Sequence, residues 1–201
     1  MKYKVPMALI IARFFIGVII VILTCIEVEH YETIVISLLA IGLLTDVFDG
    51  IIARRLNVST QSLRRWDSTV DQLFFISVIA ATYLKYPEFY EVHWVKIALL
   101  VGIELLTYVV SFLKFKKEIA THSIGAKIWT LFLFATLVDV IIGGNSTVLF
   151  ELFFWIGMLT RLEIISIILI LKTWTNDVPT FVHALKLRKG KSIKRNSLFN
   201  G

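Results

Sequence analysis

The sequence is poor in the residues that give soluble domains their disulfides, tight turns and charged surfaces. It has one cysteine, three prolines and 18% charged residues among 201 positions. The single cysteine, Cys25, excludes a disulfide within the chain, and we expect it to be a small buried apolar side chain. No cluster of cysteine and histidine indicates a zinc site. The fold must therefore be stabilised without disulfides or zinc.

Apolar residues are abundant and fall in long runs. They make up 57% of the chain, whose mean hydropathy is +0.80, against roughly 45–50% in an ordinary soluble domain. A helix that crosses a bilayer needs about 20 mostly apolar residues. We therefore expect an all-α integral membrane protein with six transmembrane helices. The expected spans run from Pro6 to Ile26, Thr33 to Ile52, Asp67 to Tyr86, Val95 to Phe115, Ser123 to Ile142 and Thr147 to Trp174.

The loops between these spans alternate in charge. The first and third loops are acidic, whereas the second and fourth are basic. The positive-inside rule then predicts that both termini and the basic loops are cytoplasmic. We expect residues 1–182 to form the transmembrane domain and residues 183–201 a basic cytoplasmic tail. Beside a membrane, such a tail favours anionic lipid headgroups over nucleic acid, and a topogenic role fits the same charges.

Four aspartates lie in or beside two of the apolar runs. Asp46 and Asp49 are three residues apart, and Asp67 and Asp71 are four apart. On a helix, either spacing puts both side chains on one face. Ionised carboxylates are costly within a membrane and are usually functional there. Because four converging carboxylates repel one another without cations among them, the pattern predicts a divalent-metal site for Mg²⁺ or Mn²⁺.

Small residues and an arginine continue the first acidic pair along the same helical face. Gly50 and Ala53 remove side-chain bulk there, so an extended ligand could lie against the backbone. Arg54 adds a fixed positive charge that suits a phosphate. Carboxylates, small residues and an arginine together indicate a metal-bridged diphosphate. Helix capping or pairing with nearby arginines would explain one acidic pair, but not both at this spacing.

These residues closely resemble the signature of the CDP-alcohol phosphotransferase family. That signature reads D-x-x-D-G-x-x-A-R, eight residues, G, three residues, D, three residues, D. The segment from Asp46 to Arg54, D-V-F-D-G-I-I-A-R, and the later Asp67 and Asp71 match it without a gap. One fixed position departs, because Leu63 replaces the second glycine. A leucine there would crowd the nucleotide or require a rearranged loop.

The resemblance implies an enzyme that transfers a phosphatidyl group from CDP-diacylglycerol to a small polar alcohol and releases CMP. By analogy, Asp46, Asp49 and Asp67 would hold one of two metal ions. Asp71 would help to hold the second ion and would act as general base on the acceptor hydroxyl. The residues implied to bind the CDP donor are Asp46, Gly50, Ala53 and Arg54. The resemblance also implies phospholipid biosynthesis at a bacterial inner membrane and a homodimer. Because the positive-inside rule puts the second loop in the cytoplasm, we expect the active site beside that loop to face the cytoplasm.

Two weaker resemblances concern the acceptor. Residues 6–13, P-M-A-L-I-I-A-R, resemble the P-N-x-L-T-x-x-R start of phosphatidylglycerophosphate synthases, with Met7 and Ile10 in place of Asn and Thr. Residues 126–130, A-K-I-W-T, resemble their G-K-x-K-T segment. Arg13, Lys127 and Thr130 are therefore candidate acceptor-binding residues, and glycerol 3-phosphate is a candidate acceptor. Snorkelling of the two basic side chains to the headgroups is an equal alternative.

Other readings of the polar residues stay open. Glu104, Arg161 and Glu163 lie within expected spans, where either an intramembrane ion pair or a polar acceptor pocket would explain them. A non-catalytic family member that binds nucleotide-lipid or metal is one alternative to an enzyme. A membrane metal transporter is another, because it too would use intramembrane acids, although it leaves the A-R segment unexplained.

Overall fold

The computed structural model describes residues 4–26, 28–56, 58, 60–117, 123–175 and 178–193, and these form an all-helical structure without a strand. Seven helices follow one another in this part of the chain. They are α1 (Lys4–Cys25), α2 (Tyr31–Arg55), α3 (Gln61–Lys85), α4 (Pro87–Phe115), α5 (Ile124–Gly143), α6 (Val148–Ile170) and α7 (Phe181–Arg188). The predicted all-α class is confirmed. Three basic residues near the termini, Lys2, Lys194 and Arg195, lie outside the described residues.

Five of the helices in the described residues are long and apolar enough to cross a membrane, namely α1, α2, α4, α5 and α6. Each overlaps one of the expected spans, although α4 begins at Pro87 rather than Val95 and α6 ends at Ile170 rather than Trp174. Helix α3 corresponds to the remaining expected span and has 25 residues, but its first half is polar. It begins at Gln61 rather than Asp67 because Thr60 caps it, its Oγ1 accepting the Leu63 N–H at 3.2 Å. The count of six spans therefore stays a prediction.

The chain divides into two compact units. The first comprises Met1–Phe89 and Leu137–Asn145, and the second comprises Tyr90–Thr136 and Ser146–Gly201. In the first unit, α1 packs against both α2 and α3, more extensively than these two pack against each other. Helix α1 is therefore the central element of this three-helix group. Its buried residues, Pro6, Ile10, Arg13, Gly17 and Ile20, recur every three or four positions along one face.

Two glycines allow close helix packing in the first unit. A Cβ at Gly42 of α2 would lie 2.3 Å from the ring of Phe74, which is 1% exposed on α3. A Cβ at Gly17 of α1 would lie 3.3 Å from Ser77, also on α3. Small residues at helix interfaces let membrane helices approach closely, where van der Waals packing is the main attraction. The acidic pairs of α2 and α3 are carried on these closely packed helices.

In the second unit, α5 and α6 are held by aromatic packing. The rings of Trp129 and Phe153 stack 5.2 Å apart, and the Trp129 Nε1–H donates to the Phe153 carbonyl at 3.1 Å. A Cβ at Gly157 would lie 2.5 Å from Trp129 Nε1, so only glycine fits there without a shift. An ion pair between Lys96 of α4 and Glu151 of α6 adds to this packing.

Two further features differ from expectation. Cys25 is exposed, not buried, because it is the last residue of α1 and lies off the buried stripe of that helix. The second difference is α7, a helix where the sequence suggested only a basic tail. Ala184 of α7 packs into a buried cluster with Ile167, Leu171 and Val178. The predicted boundary between residues 182 and 183 falls inside this helix.

Candidate metal centre

The centre is built around Arg13 of α1, whose side chain is 1% exposed. The residue lies on the buried stripe of α1, between Ile10 and Gly17. A buried guanidinium is stable only when paired and hydrogen-bonded, because the loss of its hydration is costly. Its Nε lies 3.4 Å from Thr45 Oγ1 of α2, which in turn donates to the Gly42 carbonyl at 2.6 Å. The remaining guanidinium nitrogens point at carboxylates.

All four aspartates of the sequence pattern contact this one guanidinium. Its Nη1 lies 3.1 Å from Asp46 Oδ1 and 3.1 Å from Asp67 Oδ1, and it also contacts Asp71 Oδ1. Its Nη2 contacts Asp49 Oδ2. The pair on α2 and the pair on α3 thus meet at one side chain of α1. One guanidinium balances one of four carboxylate charges, so the centre keeps a strong negative potential that attracts cations.

The four carboxylates differ in depth. The side chain of Asp49 is 3% exposed, whereas those of Asp46, Asp67 and Asp71 are 36%, 31% and 30% exposed. Asp49 therefore forms the floor of the centre, and the other three form its partly solvated rim. A ligand would reach the rim carboxylates first.

The donor set fits a hard divalent cation. Asp46, Asp49 and Asp67 each offer a carboxylate oxygen, and these oxygens lie within 4.8 Å of one another. Carboxylate oxygens without histidine or thiolate are ligands that Mg²⁺ and Mn²⁺ accept. These are the three residues to which the family resemblance assigns one ion. Asp71 completes the ring of acids through its contact with the Arg13 Nη1.

Gly50 directly follows Asp49 on α2, and Arg54 lies one turn further along the same helix. A Cβ at Gly50 would lie 3.3 Å from Arg54 Nη1, so the guanidinium lies against the helix where glycine leaves room. A larger side chain at position 50 would need the guanidinium to move. The arrangement keeps a positive charge beside the acidic centre, in a position that suits a phosphate.

The chain matches a family model described as CDP-alcohol phosphatidyltransferase over residues 3–179. It belongs to this family. No match was found among curated proteins or among solved structures. CDP-alcohol phosphatidyltransferases move a substituted phosphate from a CDP-alcohol to an acceptor at a membrane and use divalent metal ions. The acidic centre of this chain is compatible with that metal requirement.

Leu63, which stands where the family signature has a glycine, is accommodated by apolar packing. Leu63 is 3% exposed and belongs to an apolar cluster with Ile10, Ala53 and Val70, against which Met7 packs. The signature residue Ala53 is thus buried at 6% exposure. The leucine side chain is directed into the helix group formed by α1, α2 and α3 and is buried there.

The remaining predicted residues lie in the second unit. Lys127 is exposed near the start of α5, and the Thr130 hydroxyl donates to the Ala126 carbonyl at 3.1 Å. Arg161 pairs with Glu104, and its guanidinium lies 4.7 Å from the Trp129 ring. The Glu163 carboxylate accepts a hydrogen bond from the Phe181 N–H at 3.2 Å, at the first turn of α7. Glu104, Arg161 and Glu163 therefore all have structural partners.

Sequence reasoning missed the place of Arg13 within the centre and the supporting contact from Thr45. Arg13 was predicted only as a candidate acceptor-binding residue. The sequence contained one indication of this pairing. Arg13 lies as many residues after Lys4, the start of α1, as Asp46 lies before Arg55, the end of α2. In adjacent antiparallel helices, such residues lie at a similar depth. A cation and four anions at one depth within a membrane are expected to pair.

Proposed function

We propose that this protein transfers a phosphatidyl group from CDP-diacylglycerol to a small polar alcohol, with release of CMP, in phospholipid biosynthesis. The observation that carries the proposal is the convergence of Asp46, Asp49, Asp67 and Asp71 on one point. Glycerol 3-phosphate is the first acceptor to test. The resemblance of residues 6–13 and 126–130 to phosphatidylglycerophosphate synthases supports that choice.

The four aspartates divide the work between holding metal and moving a proton. Asp46, Asp49 and Asp67 would hold one Mg²⁺ or Mn²⁺ ion, and Asp71 would help to hold a second. A metal ion held by these residues would supply positive charge to the diphosphate, which would favour departure of CMP. Asp71 would accept the proton of the acceptor hydroxyl. The hydroxyl oxygen then forms a new bond to the phosphorus of the phosphatidyl group, and the bond between that phosphorus and the bridging oxygen of CMP breaks.

The CDP donor would lie against α2. Asp46, Gly50, Ala53 and Arg54 are the proposed contacts, and the position of the Arg54 guanidinium beside Gly50 supports a phosphate contact. For the acceptor, Arg13, Lys127 and Thr130 remain the proposed residues on the strength of the resemblance. We also propose a bacterial inner membrane, a cytoplasmic active site, a homodimer, and contact of the basic C-terminal segment with anionic lipids. Basic residues Lys186 and Arg188 of α7 support the lipid contact.

The proposal is tested by CMP release from CDP-diacylglycerol with purified protein and Mn²⁺ or Mg²⁺. The alcohols to compare are glycerol 3-phosphate, serine, inositol, inositol phosphate and phosphatidylglycerol. We expect release that depends on one alcohol and falls at least about 10²-fold in Asp71→Asn, which loses the general base. Asp139→Asn on α5 is the matched control, because Asp139 is not among the carboxylates that contact Arg13. It should retain activity.

Other outcomes identify the alternatives. Full activity in Asp71→Asn contradicts the role given to that residue. If no alcohol supports release although the protein binds Mn²⁺, a different CDP donor is tested next, and failure there favours a non-catalytic member of the family. Metal movement across liposomes without CMP release would favour a transporter.

A further inference from the structure

The guanidinium of Arg13 lies among the same carboxylates that are proposed to hold metal. A single nitrogen, Nη1, contacts Asp46, Asp67 and Asp71, and Nη2 contacts Asp49. The side chain is wholly enclosed, at 1% exposure. The carboxylates thus surround the guanidinium nitrogens as they would surround a bound cation. A peripheral arginine that only steadies one ligand would contact one or two of the acids.

A guanidinium and a divalent cation require carboxylate oxygens at different distances. The guanidinium needs carboxylate oxygens near 3 Å from its nitrogens, whereas Mg²⁺ binds oxygen ligands at about 2.1 Å. Both are positive, and like charges a few Å apart in a poorly solvated site repel strongly. The oxygens in contact with Nη1 therefore cannot also surround a metal ion while the guanidinium stays among them.

We propose that Arg13 is an internal counter-cation that competes with the divalent metal for the four carboxylates. It stabilises the acidic centre when no metal is bound, and metal binding must displace it from part of its contacts. The proposal rests on the metal role given to these aspartates under the proposed function. It predicts that Arg13 weakens metal binding, whereas an arginine that only arranges the ligands would strengthen it.

The test is Mn²⁺ binding to EDTA-treated, metal-stripped protein in detergent, measured by the loss of the free Mn²⁺ signal in electron paramagnetic resonance. Arg13→Met keeps an unbranched apolar stem but removes the guanidinium and its charge. We expect its Kd for Mn²⁺ to be at least about tenfold lower than that of the wild type, because a nearby positive charge has been removed. Arg13→Lys keeps a positive charge, but its ammonium cannot contact all four acids at once. Its Kd for Mn²⁺ should therefore lie between those of the wild type and Arg13→Met.

Thermal unfolding supplies the second readout. Without metal, Arg13→Met should unfold at a lower Tm than the wild type, because its carboxylates lack a counter-charge, and Mn²⁺ should restore most of the difference. Arg161→Met is the matched control, since Arg161 is a second membrane-helix arginine with a carboxylate partner, Glu104. It should lower the Tm without changing the Kd for Mn²⁺.

The results separate this proposal from the proposed function. An unchanged or higher Kd in Arg13→Met overturns the competition, while metal binding by the wild type leaves the metal centre intact. If the wild type binds no Mn²⁺, the metal centre itself is wrong. Should Arg13→Met fail to fold, the wild type is titrated with Mg²⁺ and its arginine 15Nε resonances are followed. The Arg13 resonance, assigned by its loss in Arg13→Lys, must then shift on saturation; an unshifted resonance refutes displacement.

Discussion

At the scale of single residues, Leu63 shows how this chain departs from its family without losing the acidic centre. Five positions differ from the family signature and the two synthase patterns, and three of them, Met7, Ile10 and Leu63, meet in one apolar cluster with Ala53 and Val70. The polar residues expected at positions 7 and 10 would be poorly placed beside a buried leucine, because a buried polar group without a partner is costly. We therefore expect the three departures to be coupled.

Leu63→Gly should destabilise the protein rather than restore a lost function. Removing this buried side chain leaves a cavity among Ile10, Ala53 and Val70, which costs about 2–5 kcal/mol for a leucine truncated in a core. We also expect weaker binding of the CDP donor, because the cavity would disturb Ala53, a proposed donor contact that belongs to the same cluster. Thermal unfolding and donor binding are measured on the same preparation.

The control for this variant is Leu73→Gly on the same helix, because Leu73 is 42% exposed and its loss opens no buried cavity. Its unfolding temperature should fall less than that of Leu63→Gly. Tighter donor binding by Leu63→Gly, with unchanged stability, would mean that the leucine is an impairment and that the coupling is wrong.

At the scale of helices, the acidic pairs converge because α1, α2 and α3 approach closely. Gly42 of α2 lies close against α3, since the buried ring of Phe74 fills the space where a Cβ would be. Phe74 is one helical turn from Asp71, and Gly42 is one turn from Asp46. Any movement of Phe74 is therefore expected to reach the carboxylates.

Gly42→Ala should destabilise the helix group and disturb the metal centre together. The added methyl would meet the Phe74 ring at 2.3–3.0 Å, and overpacking of this kind costs about 1–3 kcal/mol. We expect a lower Tm and weaker Mn²⁺ binding. Gly102→Ala in α4 is the control, because a Cβ there meets nothing within 4 Å; it should be neutral or slightly stabilising. Equal behaviour of the two variants would contradict the close packing.

The sequence predicts helices well where a run of apolar residues is long enough to define them. Helices α1, α2, α4, α5 and α6 follow this rule. It fails at the start of α3, where the cap from Thr60 rather than hydropathy decides the first residue. It also fails for α7, whose packing of Ala184 against α6 residues is a tertiary contact that no local pattern reports.

The candidate site was predictable to a similar degree. Spacing within one helix places Asp46 with Asp49 and Asp67 with Asp71, because each pair shares a face. Spacing does not identify which residue of another helix lies opposite, so Arg13 was left without its carboxylate partners. That information depends on how α1 packs between α2 and α3, which is fixed by residues such as Gly17 and Gly42.

At the scale of the whole molecule, the number of membrane crossings depends on α3. Five helices of the described residues qualify by length and hydropathy, and α3, with its polar first half, is the sixth expected span. If α3 crosses the membrane, the number of crossings is even, and the start of α1 lies on the same side as α7. If α3 does not cross, the start of α1 and α7 lie on opposite sides. Lys4 and Lys189 are exposed and mark these two positions.

Cysteine labelling decides between the two topologies. Cys25 is the chain's one cysteine and is exposed at the end of α1, so a Cys25→Ser background accepts Lys4→Cys or Lys189→Cys singly. For six spans with cytoplasmic termini, a membrane-impermeant maleimide should label both variants only after cells are permeabilised. The unmodified Cys25, on the opposite side, should react in intact cells. Labelling of just one terminal variant in intact cells would mean an odd number of crossings, and α3 would then lie along the membrane surface with its carboxylates at the interface.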